Sequence, residues 1–157
     1  MPNIRKAQAE DLGRIAEIEV FNYRLNFFPI FKSEWFYFVE LTVENVAKRY
    51  ENMLDDIWVY EDAAVQGFMM KKDDEIVKLF VEPALQNNGV GAKLLDFAKQ
   101  QGGKFLWALA KQQGGKFLWA LEKNTGAIRF YQRHGFKLTG EKKFEEDTIE
   151  YLVKMKL

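Results

Sequence analysis

Cysteine is absent from the 157 residues, which excludes a disulfide framework, Cys-ligated zinc and a thiol nucleophile. A single histidine, His134, leaves too few imidazoles for a His-rich metal site, so no metal is expected. Net charge is also missing. The 23 Lys and Arg cancel the 23 Asp and Glu, so no global field recruits nucleic acid or an acidic membrane, and any anionic ligand needs a local site. No apolar run approaches the roughly 20 residues that span a bilayer. The opening MPNIRKAQAEDL is polar where a secretory signal needs an apolar stretch. Together these absences predict a cytoplasmic protein with neither a nucleic-acid nor a membrane partner.

What is present is a globular composition, 48% hydrophobic and 29% charged, over a length that predicts one domain, residues 1–157. Aromatic residues reach 15% and cluster in FNYRLNFFPIFKSEWFYF, Phe21 to Phe38. That segment reads either as core and interface packing or as an aromatic pocket that holds an amine by cation–π contact, with Glu34 or Glu40 as countercharge.

The string AKQQGGKFLWAL fills Ala98 to Leu109 and recurs letter for letter at Ala110 to Leu121. Two copies are too few for a solenoid, and twelve identical letters do not arise from periodic patterning, so the reading is a tandem duplication within 98–121. Only one FLWAL serves as a central strand. The second, Phe117 to Leu121, has the unbroken connection to the residues that follow and is the expected strand, with Lys104 to Gln113 extending the preceding helix. The copy left over lacks a core position, which predicts a homodimer, in its specific form a domain swap through the lengthened hinge.

Hydrophobic periodicity predicts a first strand over Asn3 to Gln8 and a helix from Glu10-Asp11 through Leu12, Ile15, Ile18 and Phe21. A second helix is capped by Thr42 and carries Val43, Val46, Ala47, Tyr50 and Leu54 on its apolar stripe. Strands Ile57 to Tyr60, Val65 to Lys71 and Glu75 to Val81 form an antiparallel meander. Pro83 stops the last of these; a helix over Val90 to Gln101, a strand, a helix over Thr125 to His134 and strands Phe136 to Phe144 and Thr148 to Leu157 complete the chain. The order is β-α-α-β-β-β-α-β-α-β-β.

Chemistry can reside where Glu75 to Val81 leads through QNNGVG into a helix, because backbone N–H groups at a helix N-terminus face an anion. No GK[ST] or GxGxxG is present, so this is neither a Walker A loop nor a dinucleotide fingerprint. The pair KLFVEPALQNNGVGAKLL and FLWALEKNTGAIRFYQRHGF is more specific and resembles the GNAT-type N-acetyltransferase superfamily. The matching residues are Phe80-Val81-Glu82-Pro83, Gln86 through Gly91, and Leu118 through Asn124, Ala127, Phe130-Tyr131 and Gly135-Phe136.

The resemblance implies an α+β fold with a mixed, mostly antiparallel central sheet flanked by helices. It implies acetyl-CoA as co-substrate, with pyrophosphate on the amides of Gln86, Asn87, Asn88, Gly89, Val90, Gly91 and Ala92, and pantetheine pairing like an extra strand along Phe80 and Val81. Where many relatives carry a basic residue in this loop, Asn87 and Asn88 stand here, leaving the helix dipole and Lys93 to supply charge. Asn124 is a pantetheine ligand by the same implication, or alternatively a helix cap.

Direct transfer to a primary amine needs a base for the ammonium and an acid for the departing thiolate. Tyr131 matches the family's acid, or is a core aromatic of its helix. Glu75 matches the base of one branch of the family, or is a solvated charge in an acidic turn beside Asp73 and Asp74, with water chains as the other route. Trp119 fills the alternative base position and takes no proton, while His134 sits at a variable helix end. The expected activity is acetyl-CoA-dependent N-acetyltransfer to a small-molecule or peptide amine. The alternative is a CoA-binding protein of weak or absent turnover, whose duplication drives a conformational change or a swapped dimer.

Overall fold

The computed structural model describes residues 2–100 and 117–157. The first FLWAL copy, the glycines at 102–103 and 114–115 and the expected extension over Lys104 to Gln113 lie outside the described residues. Along the chain run β1 (Asn3–Lys6), α1 (Leu12–Asn26), α2 (Phe28–Phe31), α3 (Val43–Tyr50), β2 (Ile57–Asp62), β3 (Ala64–Lys72) and β4 (Glu75–Val81). After these come α4 (Val90–Gln100), β5 (Phe117–Leu121), α5 (Thr125–Arg133), β6 (Lys137–Phe144) and β7 (Tyr151–Lys156). The fold is α+β, with a seven-stranded, mostly antiparallel sheet in the order β1-β2-β3-β4-β5-β7-β6. Among the described residues no helix is long and apolar enough to cross a membrane.

Contacts divide the chain into two compact units: Met1–Lys71 with Lys78–Phe97, and Lys72–Val77 with Ala98–Leu157. In the first, β2 pairs antiparallel with β1 and β3, setting Val59 opposite Phe68 and Ile57 opposite Met70. These fully or nearly fully buried side chains pack with Ile15, Ala16 and Ile18 of α1 and Val46 and Tyr50 of α3. The hydroxyl of Thr42 accepts the amide of Asn45 at 3.2 Å and so caps α3, as its sequence predicts. That helix ends at Tyr50, and Leu54 belongs to a separate turn.

The entry to α1 is fixed by charge. Arg5 of β1 donates to Asp11 at 2.7 Å and to Glu61 of β2 at 3.0 Å, and the amide of Gln8 donates to Asp11 at 2.8 Å. β1 therefore stops at Lys6 rather than Gln8, since the chain turns there to present that amide. Burial works against the Asp11 carboxylate, but the hydrogen bonds from Arg5 and Gln8 outweigh it and hold Asp11 below its ordinary range. On β3, a Cβ at Gly67 would lie 3.0 Å from the Phe80 carbonyl oxygen, 3.1 Å from Val90 and 3.2 Å from Leu94, so glycine lets α4 and β4 pack here without these neighbours giving way by a few tenths of an ångström.

In the second unit β5 is the second FLWAL copy, antiparallel to β7 and parallel to β4 through Glu75 opposite Phe117. Ile76, Ala98, Leu118, Ala120, Leu121, Phe136, Val153 and Met155 are its buried apolar side chains among the described residues. Gly135, at φ +92°, ends α5, and the Phe136 amide returns to the Tyr131 carbonyl at 3.0 Å. β7 begins at Tyr151 rather than Thr148, because Thr148 and Asp147 (φ 58°) make the turn out of β6.

The aromatic segment holds structure that periodicity did not reveal. Phe28–Phe31 forms a single helical turn and Phe36–Glu40 a π-helical one.

Candidate active site

β4 ends with its last carbonyl secured. Asn22, buried on α1, donates through Nδ2 to the Val81 carbonyl at 2.9 Å and to Ile18 at 2.8 Å. Its Oδ1 accepts Gln86 Nε2 at 3.1 Å, and Gln86 also reaches Val81 at 3.4 Å. The Gln86 side chain thus braces the strand end against the helix, although Gln86 is exposed, as are Asn87, Asn88 and Gly89. Left-handed backbone at Asn87 (φ 67°) and Gly89 (φ 83°) swings the chain into α4, where the Gly89 carbonyl accepts the Lys93 amide at 3.1 Å. The first amides of an α-helix have no intrahelical acceptor. Here they belong to Val90, Gly91 and Ala92, and nothing lies within 4 Å of a Cβ placed on Gly89, so the approach to them is open. An anion such as a phosphate fits this arrangement.

Lys93 points elsewhere, with its ammonium 3.3 Å from the Tyr60 hydroxyl. Phe80 is half-buried against Tyr23 and Phe68, at 5.5 and 5.7 Å between ring centres.

Three residues before Val81 on β4, Lys78 donates at 2.7 Å to Glu19, a fully buried residue of α1. The Tyr50 hydroxyl donates to the same Glu19 oxygen at 2.5 Å and also touches the Lys78 ammonium. Burial, reinforced by the Glu19 charge, pushes the Tyr50 phenol far above its ordinary range. The other Glu19 oxygen is buried with no hydrogen-bond partner among the described residues.

Glu75, Asn124 and Tyr131 belong to the second unit. Glu75 is half-buried at the start of β4, with no ion pair among the described residues. Asn124 Oδ1 accepts the Ala127 amide at 3.2 Å, so the capping alternative is realised. Tyr131 packs on Phe130 and Phe136 at 5.4 and 5.9 Å, and burial pushes its phenol up to about 12. His134 stacks on Phe130 at 4.7 Å, and its carbonyl accepts Lys99.

In the aromatic segment, Phe28, Glu34, Trp35, Phe38 and Val39 line an open groove of about 600 Å³. Trp35 donates to Glu40 at 2.8 Å and the Arg24 guanidinium covers the Phe38 ring at 5.1 Å, so one countercharge and one ring face are already engaged. Among the described residues no group of three His, Asp or Glu side chains is placed to hold a metal.

Sequence reasoning missed Glu19, Asn22 and Lys78. The signal was available in α1, where Glu19 and Asn22 fall on the buried stripe that Ile15 and Ile18 define; polar residues at such positions are held for a partner.

The acetyltransferase (GNAT) domain model matches residues 54–138, more than half of the chain. No curated protein matches significantly. Among solved structures, apo YjaB from Escherichia coli is similar at TM-score 0.70 and 20% identity, covering 99% of this chain and 97% of that one. PaiA N-acetyltransferase from Thermoplasma acidophilum, in complex with coenzyme A, gives TM-score 0.65 at 20% identity, covering 100% and 99%. YncA from Salmonella typhimurium, a putative acetyltransferase with acetyl-CoA, gives 0.64 at 19%, covering 99% and 92%. With β4, its glycine-bearing turn, α4, β5 and α5 all inside the matched span, the chain belongs to the GNAT acetyltransferase domain family.

Proposed function

We propose that this protein is a single acetyltransferase domain that moves an acetyl group from acetyl-CoA to a primary amine by direct attack. The observation that carries the reading is the open turn at Gln86–Ala92, where left-handed Asn87 and Gly89 expose the first amides of α4 directly after β4. The N-terminal end of that helix dipole and those amides hold the pyrophosphate. Phe80 and Val81 receive the pantetheine arm. The brace from Asn22 and Gln86 occupies the Val81 carbonyl, so this end of the strand is fixed before the co-substrate arrives. The capping bond of Asn124 leaves its amide nitrogen for the arm.

Acetyl-CoA supplies the thioester carbonyl. Glu75 takes the proton that the ammonium must lose before its nitrogen can attack, and Tyr131 protonates the thiolate as the C–S bond breaks. A phenol raised to about 12 remains protonated at neutral pH, as an acid must. The test is thiol release from acetyl-CoA over a panel of amines, repeated with Glu75→Gln and Tyr131→Phe. Losses of about 10² in kcat are expected for each; rates unchanged within twofold for both variants would remove these roles.

The letter-perfect repeat supports a second element of the reading. On this reading one copy is a duplication within a 145-residue parent (157 − 12); with β5 formed by the second copy, the apolar side chains of the first favour a homodimer formed by exchange of the C-terminal elements. An elution profile that is monomeric at every concentration would refute this.

A further inference from the structure

One cross-strand row connects the candidate base to a group of lysines. Glu75 on β4 lies opposite Phe117 on β5, Phe117 opposite Lys156 on β7, and Lys156 opposite Lys137 on β6. Directly opposed residues project from the same face of a sheet. In the next row Trp119 lies opposite Lys154. The Lys154 ammonium stands 4.7 Å from the Phe117 ring centre, and the Lys143 ammonium stands 4.2 Å from that of Trp119. The other face, with Leu118, Ala120, Val153 and Met155, is buried, whereas Lys137, Lys143 and Lys156 are exposed and Lys154 is half-buried.

These charges are largely uncompensated. Lys154 has Glu141 at 3.4 Å, but Lys137, Lys143 and Lys156 have no carboxylate partner among the described residues. Residues 101–116 contain no Asp or Glu that could supply one. A protein with no net charge therefore gathers ammonium groups beside two aromatic rings, and it does so on the face that Glu75 shares. The ring faces hold the Lys143 and Lys154 ammonium groups themselves, and an ammonium has three N–H donors, more than one ring face can engage.

We propose that the acceptor amine also carries an anionic group, a phosphate or a carboxylate, which Lys143, Lys154 and Lys156 receive beside Trp119 while the amine lies at Glu75. This rests on the acetyltransfer reading and names its substrate class. Strands lie about 4.8 Å apart, so the backbones of Glu75 and Lys156 are about 10 Å apart, two strands away. Side chains reaching inward from both ends shorten that to the span of a small molecule with a few bonds between nitrogen and anion.

The test uses matched acceptors, 3-aminopropyl phosphate against 3-amino-1-propanol and 4-aminobutyrate against 4-aminobutyramide, followed by thiol release. The anionic member of at least one pair should have a kcat/KM about tenfold higher, and added salt should shrink that advantage; which pair shows it identifies the anion. Lys143→Ala and Lys154→Met should each lower the anionic-to-neutral ratio about tenfold through the acceptor KM. Equal or better use of both neutral members would overturn the proposal, as would lysine variants that raise the KM for acetyl-CoA instead. A measurement that needs no turnover follows the Trp119 indole N–H in ¹⁵N–¹H spectra, assigned with Trp119→Phe, on titration with each compound. The anionic compounds should move it and the neutral ones should not. Such a shift without acetylation of any amine would refute the transfer reading but support the lysine site; acetylation without the shift or the preference would do the reverse.

Discussion

Lys78→Met isolates the charge that fastens β4 to the helices of its unit. In the wild-type protein the Lys78 ammonium meets Glu19 at 2.7 Å, with Glu19 fully buried and its second oxygen already unpartnered. Removing the lysine leaves that carboxylate with the Tyr50 hydroxyl alone. Breaking one side of a buried pair costs about 3–5 kcal/mol, whereas replacing both sides with apolar groups is often close to neutral. For a urea slope of about 2 kcal/mol per molar, the single variant should lose about 2 M in midpoint. Glu19→Leu/Lys78→Met should recover most of that loss, giving a double-mutant coupling of several kcal/mol. Urea denaturation of the wild type, both single variants and the double variant measures the full cycle. A Lys78→Met cost below about 1 kcal/mol, or a double variant as unstable as the sum of the singles, would refute the reasoning, because Glu19 would then have been solvated or paired elsewhere.

Three further outcomes follow from the same geometry. Gly67→Val should destabilise by about 1–3 kcal/mol in the same denaturation assay, because its side chain collides with the Phe80 carbonyl, Val90 and Leu94. The Asp11 carboxylate is held below its ordinary range, so it contributes stability that is complete above an unfolded value of about 3.9 and is lost as pH falls through the folded value. The advantage of wild type over Asp11→Asn, measured by denaturation across pH, should therefore be constant near neutrality and shrink in acid. With Tyr131 raised to about 12, an acid role predicts no alkaline fall in kcat from this group until pH approaches 12, whereas a tyrosine-dependent fall near 10 would contradict the assigned environment.

Much of the fold was legible because its boundaries are set by local chemistry. EIVKLFV lies between an acidic turn and Pro83, so β4 has the limits its sequence predicts. Thr42 caps α3 by the hydroxyl bond expected of it, and the unbroken link from FLWAL to Asn124 picked the copy that forms β5. The helical turns at Phe28–Phe31 and Phe36–Glu40 were not legible: nine aromatics in eighteen residues leave no apolar period to read. In the candidate site the glycines pointed to the loop, but the bond that makes Gln86 a brace depends on Asn22, a partner 64 residues away. The same long range hid Lys78 and Glu19, which are 59 residues apart. Asn124 had two readings from sequence because capping and ligand binding call for the same amide; the structure supplies the capping bond.

Calorimetric titration of the whole chain with acetyl-CoA tests the central claim most directly, since every proposed role passes through the turn at Gln86–Ala92. The account predicts micromolar binding near one equivalent per chain, weakened by Gly89→Val, which forces a β-branched side chain onto a backbone at φ 83° beside the first amides of α4. No detectable heat with the wild-type protein, at concentrations that would reveal millimolar affinity, would contradict it.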